Sequence, residues 1–99
     1  MDTESVLPQW SARVLEPSVG SVAGGRAVVL YGEGFRPGMS VQIGANDAEI
    51  VSLEEEAIVL TIPPSEVLGV VDVRVALGEK ELLLKQAFTY LPDQSGLAI

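Results

Sequence analysis

The chain has 99 residues, 47% of them hydrophobic, which sets the scale at one domain with enough apolar material for a core. It holds no cysteine and no histidine, so thiol nucleophiles, disulfides, Cys/His zinc sites and imidazole acid–base chemistry are excluded together. Fourteen acidic against six basic residues give a net charge of −8, which repels nucleic-acid phosphate and favours basic partners, although acidity of this kind more often serves solubility.

Met1 to Ser11 is mixed and polar, carries Pro8 and Trp10, and reads as an N-terminal arm. Its acidic start and broken apolar content are unlike a signal peptide. No apolar run reaches the roughly 20 residues a membrane-spanning helix needs, so membrane insertion is not expected. The chain reads either as a cytoplasmic domain or as part of a longer exported protein. An extended run from Ala12 to Glu16 ends at Pro17, which cannot continue a central strand. Ser18 to Gly25 reads as a loop closing on Gly24-Gly25. The first strong strand follows, with Val28 and Leu30 on one face and Val29 and Tyr31 on the other. Gly32 and Gly34 end it, and Phe35 supplies an apolar plug for the end of the domain.

Past the turn Arg36-Pro37-Gly38, Met39 to Ile43 alternates with Val41 and Ile43 inward and Ser40 and Gln42 outward. Gly44-Ala45-Asn46-Asp47 is a tight hairpin-type connection. A short strand from Ala48 to Leu53 leads into the acidic turn Glu54-Glu55-Glu56. Ala57 to Ile62 is β-branched and stops at Pro63-Pro64, and Ser65 to Gly69 is a loop or a single helical turn. Val70 to Leu77 alternates most clearly, setting Val71, Val73 and Val75 against Asp72 and Arg74. Gly78-Glu79-Lys80 turns the chain into a last strand from Glu81 to Tyr90, where Gln86 breaks the parity of Leu82, Leu84, Phe88 and Tyr90 and so marks a bulge. Residues 92–99 read as a flexible tail.

The result is about seven antiparallel strands, turn signals every roughly 8–12 residues and no amphipathic helix, which predicts an all-β, immunoglobulin-like β-sandwich over residues 12–91. The disulfide pin of antibody domains is absent, so burial alone must hold the two sheets together.

The pattern resembles the IPT/TIG family, early-set immunoglobulin-like domains found in plexins, some transcription factors and many bacterial surface proteins. The residues that carry the likeness are Pro17, Gly20, Gly24 and Gly25, then Val28, Leu30, Gly32, Gly34 and Phe35. Val41, Gly44, Ile58, Thr61, Pro63 or Pro64, Val71, Val73 and Val75 follow, and Phe88-x-Tyr90 closes the set. Arg26 departs from the Thr common in the family, and both terminal arms lie outside the pattern. The resemblance implies an interaction or spacer module rather than a catalyst. In Rel-type transcription factors a related domain carries the dimer contact on one sheet, and in bacterial surface proteins such domains act as connectors.

No motif argues against that expectation. Gly32-Glu33-Gly34-Phe35-Arg36 lacks the third glycine of a dinucleotide fingerprint, the phosphate-loop lysine and a following helix, and Glu33 repels phosphate. Asn46, Asp47 and Glu49 supply oxygens of the kind calcium prefers, but without EF-hand spacing, and Glu54-Glu55-Glu56 reads as a solvated turn. No Ser or Lys sits in a nucleophile–base motif, so no catalytic residue, cofactor or metal is assigned. Trp10 either stacks on a glycan as an exposed ring or caps the open end of the sandwich.

One surface reading is sharper. If the strand at Val28–Tyr31 pairs with the strand at Ala57–Ile62, then Val29, Tyr31, Ala57 and Val59 form an apolar outer face, while the opposite outer face carries Asp72, Arg74 and Lys85. The competing reading is that β-propensity alone chose these residues, or that the N-terminal strand and arm cover them. The sequence thus points to a non-enzymatic protein-interaction module that associates with itself or with a neighbouring domain. The alternatives are a carbohydrate-binding or cell-surface adhesion module using Trp10, and a passive spacer in a larger bacterial protein.

Overall fold

The computed structural model describes residues 10–93. The arm over residues 1–9 and the tail over 94–99 lie outside the described residues. Among the described residues nine strands follow in order: β1 (Ser11–Glu16), β2 (Val19–Ser21), β3 (Ala27–Glu33), β4 (Ser40–Ile43), β5 (Asn46–Asp47), β6 (Glu49–Glu54), β7 (Ala57–Thr61), β8 (Gly69–Leu77) and β9 (Lys80–Leu91). They form two sheets, one in the order β1-β3-β7-β6 and the other in the order β2-β9-β8-β4-β5. This is the all-β, immunoglobulin-like sandwich expected from the alternation.

The inward parity is the one read from the sequence. Val28 and Leu30 on β3 meet Leu60 and Ile58 on β7 in register, and all four are buried. From the second sheet Val41, Ile43, Val73, Val75, Phe88 and Tyr90 close the core. Alternation works here because cross-strand partners share a face, so one buried stripe on each strand builds a continuous layer.

Two strands were not expected. β2 falls in the segment read as a loop and runs parallel to β9, with Val19 opposite Thr89 and Ser21 opposite Leu91. β5 falls inside the Gly44–Asp47 connection, with Ile43 opposite Asn46. Both are too short to show a period. Ser65 to Gly69 forms no helical turn: the Ser65 hydroxyl accepts from Val67 N–H at 3.0 Å and donates to its carbonyl at 2.9 Å, a side-chain turn that competes with helix. The expected arm also gives up its last two residues, because Ser11 opens β1 and Trp10 belongs to the core cluster.

The bulge at Gln86 is present. Val71 faces Phe88 while Val73 faces Leu84, so extra residues of β9 stand opposite Asp72. Gln86 takes φ 55°, and its freed N–H donates to the Asp72 carboxylate at 2.8 Å.

The two sheets are tied at one end by Tyr90, whose hydroxyl donates to the Pro63 carbonyl at 2.6 Å. Phe88 meets the Tyr90 ring edge to face at 5.1 Å between centroids. At the other end, Gly32 is buried because Ser11 and Phe35 close on it: a Cβ there would lie 2.1 Å from the Ser11 carbonyl oxygen and 2.5 Å from the Phe35 ring. The Gly-x-Gly-Phe corner is thus set by space as well as by the left-handed turn at Gly34, whose φ is 76°.

Candidate interaction face

The register of the β1-β3-β7-β6 sheet arranges its outer surface as rows. Val14, Tyr31, Ala57 and Glu54 lie side by side across the four strands. The next row is Glu16, Val29, Val59 and Ser52, and the one after it holds Ala27, Thr61 and Glu49. Residues directly opposite one another in a ladder point to the same side, so each row is a line of neighbouring side chains. The register therefore brings Val29, Tyr31, Ala57 and Val59 together on one face.

Tyr31 is 39% exposed and Val14 is 41% exposed, whereas Val29, Ala57 and Val59 are half-buried. Val51, at the bulge of β6, is 60% exposed. The N-terminal strand does not cover the face: β1 pairs edge to edge with β3 and enlarges the surface with Val14. Val14 and Val51 were missed from sequence. Both sit where the register shifts, between Ala12 and Val14 on β1 and between Ile50 and Ser52 on β6, so simple parity does not report their side.

The other outer face is more polar but not uniformly so. Across it Asp47 accepts from Gln42 at 3.0 Å, Gln42 accepts from Arg74 at 3.4 Å, and Arg74 lies 3.4 Å from Glu81. Exposed Val70 and Leu83 stand among these groups, so the contrast between the two faces is softer than the alternation alone predicts.

Trp10 is 8% exposed and packs with the core cluster, so its ring is not presented as an open platform. Asn46 and Asp47 lie on β5 in one sheet and Glu49 begins β6 in the other. The Asn46 amide donates to the Pro64 carbonyl at 3.2 Å, and among the described residues no group of three or more Asp, Glu, His or Cys side chains gathers around a common point. A groove of about 490 Å³ runs past Gly44, Asn46, Pro64, Ser65, Val67 and Val71. Asn46 and Ser65 direct hydrogen bonds to the Pro64 and Val67 carbonyls, and exposed Glu66 adds a carboxylate to the lining. Among the described residues no helix is long and apolar enough to cross a membrane.

The IPT/TIG domain family model matches residues 13–90, and the chain belongs to that family. IPT/TIG domains are in general non-catalytic modules that mediate protein–protein interaction. Among solved structures, the chain is similar to the plexin A4 extracellular region in two crystal forms. One, covering domains 1 to 10, has a TM-score of 0.80 at 20% identity over 85% of this chain and 7% of that one. The other has a TM-score of 0.77 at 19% identity, over 83% and 8% of the two chains. A protein of Bacteroides thetaiotaomicron VPI-5482 named as a candidate phosphatase follows with a TM-score of 0.66 at 20% identity, over 85% of this chain and 18% of that one. These likenesses are of fold, and the chain spans a small part of each of those proteins. Comparison with curated proteins gives no match.

Proposed function

We propose that this domain is a non-catalytic interaction module that docks on another protein domain through the outer face of the β1-β3-β7-β6 sheet. The observation that carries the reading is the pair of rows in which Val14, Tyr31, Ala57, Val29 and Val59 adjoin across three strands. The driving force is removal of apolar area from water, about 25 cal/mol per Å², inside a polar rim. Tyr31 is the natural anchor, since a central aromatic ring contributes much contact area with few rotamers to freeze. A family whose members are interaction modules makes this use of a sheet face an ordinary one.

The test is a titration of isotope-labelled protein with cyclic β-hairpin peptides that present one Val- and Tyr-rich face, alongside dilution of the protein itself and addition of a soluble oligosaccharide. Docking shifts the amide signals of Val29, Tyr31, Ala57 and Val59, and Tyr31→Asp abolishes the shift without lowering the melting temperature by more than a few degrees. An oligosaccharide that moves signals elsewhere, with the hairpins silent, would transfer the function to carbohydrate binding. Silence toward every probe would leave a passive spacer.

A further inference from the structure

We infer that the partner of this face is a surface with an apolar centre and a cationic rim, and is not a second copy of the chain. The inference rests on the docking reading above and adds the charge of the partner to it. Around the apolar rows the register places carboxylates at the corners: Glu16 beside Val29, Glu33 opposite Ser11, Glu54 beside Ala57 and Glu49 beside Thr61. All four are exposed. The hairpin that joins β6 to β7 adds Glu55 and Glu56.

Counter-charges are nearly missing from this side. Among the described residues Arg13 is the basic side chain on β1, and it lies 3.9 Å from Glu33, so it offsets one corner of the rim. Arg26 extends toward Gly20 in the other sheet, and Arg36 turns back to the Gly34 carbonyl at 3.4 Å. Arg74, Lys80 and Lys85 belong to β8 and β9 of the other sheet. The sequence shows the same asymmetry, since no Lys or Arg occurs between Arg36 and Arg74 while Asp47, Glu49, Glu54, Glu55, Glu56, Glu66 and Asp72 do.

A symmetric dimer joins identical patches, so a two-fold axis through this face sets one acidic rim against another. Like charges facing across an interface oppose association, and each copy already carries a net charge of −8. A partner with Lys or Arg around an aliphatic or aromatic centre meets both features at once: burial at the middle supplies attraction and the rim supplies selectivity and encounter rate.

The experiment uses two cyclic hairpins with the same apolar face, one edged with Lys and the other with Glu, titrated into the intact chain in low salt and in roughly 0.5 M salt, where charges are screened within about 4 Å. The Lys-edged hairpin should bind the face about tenfold more tightly than the Glu-edged one in low salt, and the ratio should fall toward one in high salt. The variant carrying Glu16→Lys, Glu49→Lys and Glu54→Lys, all on exposed positions, should reverse the preference. Sedimentation of the unmodified chain should give a monomer. Equal binding of both hairpins, or a dimer whose contacts map to Tyr31 and Val29, overturns the charge inference and leaves the docking reading standing. If neither hairpin moves the face in either form of the protein, both fall.

Discussion

Gly32 bears a constraint that a glycine-rich turn motif does not announce. Its place is fixed by the Ser11 carbonyl and the Phe35 ring rather than by a left-handed backbone, and the carbonyl is main chain that cannot swing aside. Gly32→Ala is expected to cost about 3 kcal/mol or more, because overpacking at a rigid neighbour forces β1 away from β3, and a denaturation midpoint measures it. Tyr90 makes a different kind of bond, a neutral donor on a main-chain carbonyl, and Tyr90→Phe should remove about 1 kcal/mol. Burial raises the Tyr90 pKa above its ordinary 10.0, since the phenolate is the poorly solvated form there. The folded state then holds its proton where the unfolded chain releases it, so the stability from Tyr90 is complete below about pH 10 and is lost as pH rises through the folded value. Urea midpoints compared between pH 8 and pH 11 should fall less in Tyr90→Phe than in the parent.

Among elements, the β8–β9 hairpin shows how an irregularity is held. The bulge frees the Gln86 N–H and sets Gln86 at φ 55°, and the Asp72 carboxylate takes up that donor from the facing strand. Asp72→Ala should destabilise by about 1 kcal/mol and Asp72→Asn by less, since the amide oxygen still accepts; thermal melts distinguish the two. This bulge was legible because ten residues of regular alternation make one break conspicuous. The seven strands of four or more residues were legible as short apolar runs bounded by turn residues. β2 was not, because three residues containing a central glycine carry no alternation, and its pairing is created by β9 far away in sequence. Of the candidate face, Val29, Tyr31, Ala57 and Val59 could be read from parity. Val14 and Val51 could not, because the bulges of β1 and β6 reset parity locally. The placement of Trp10 was left open by sequence, since an arm's contacts depend on where its strand enters the sheet. The acidic rim was visible in principle as a long stretch without Lys or Arg, but its arrangement around the face required the register.

For the molecule as a whole, the chain enters beside Glu33 and leaves beside Gly69, at opposite ends of the sandwich. The first strand changes sheet between β1 and β2, where a cis Glu16–Pro17 bond lies, so the N-terminal segment contacts both layers. Among the described residues β1 and β9 lie within the sheets and cross neither outer face.

That parallel β2–β9 ladder acquires meaning under tension. Stretching the domain by its two ends drags β9 and β2 in opposite directions along their own axes. The ladder is then loaded together with the flanking bonds from Val22 N–H to the Leu91 carbonyl and from Thr89 N–H to the Ser18 carbonyl, each 2.9 Å. Bonds sheared in concert resist more force than bonds peeled one at a time. Tandem repeats pulled end to end by atomic force microscopy should therefore rupture at higher force than the same domain gripped at Gly69 and Asp93, the open end of the β8–β9 hairpin, where the two strands peel apart one pair at a time. Three residues of parallel pairing would in this way set the force that the domain withstands before it opens.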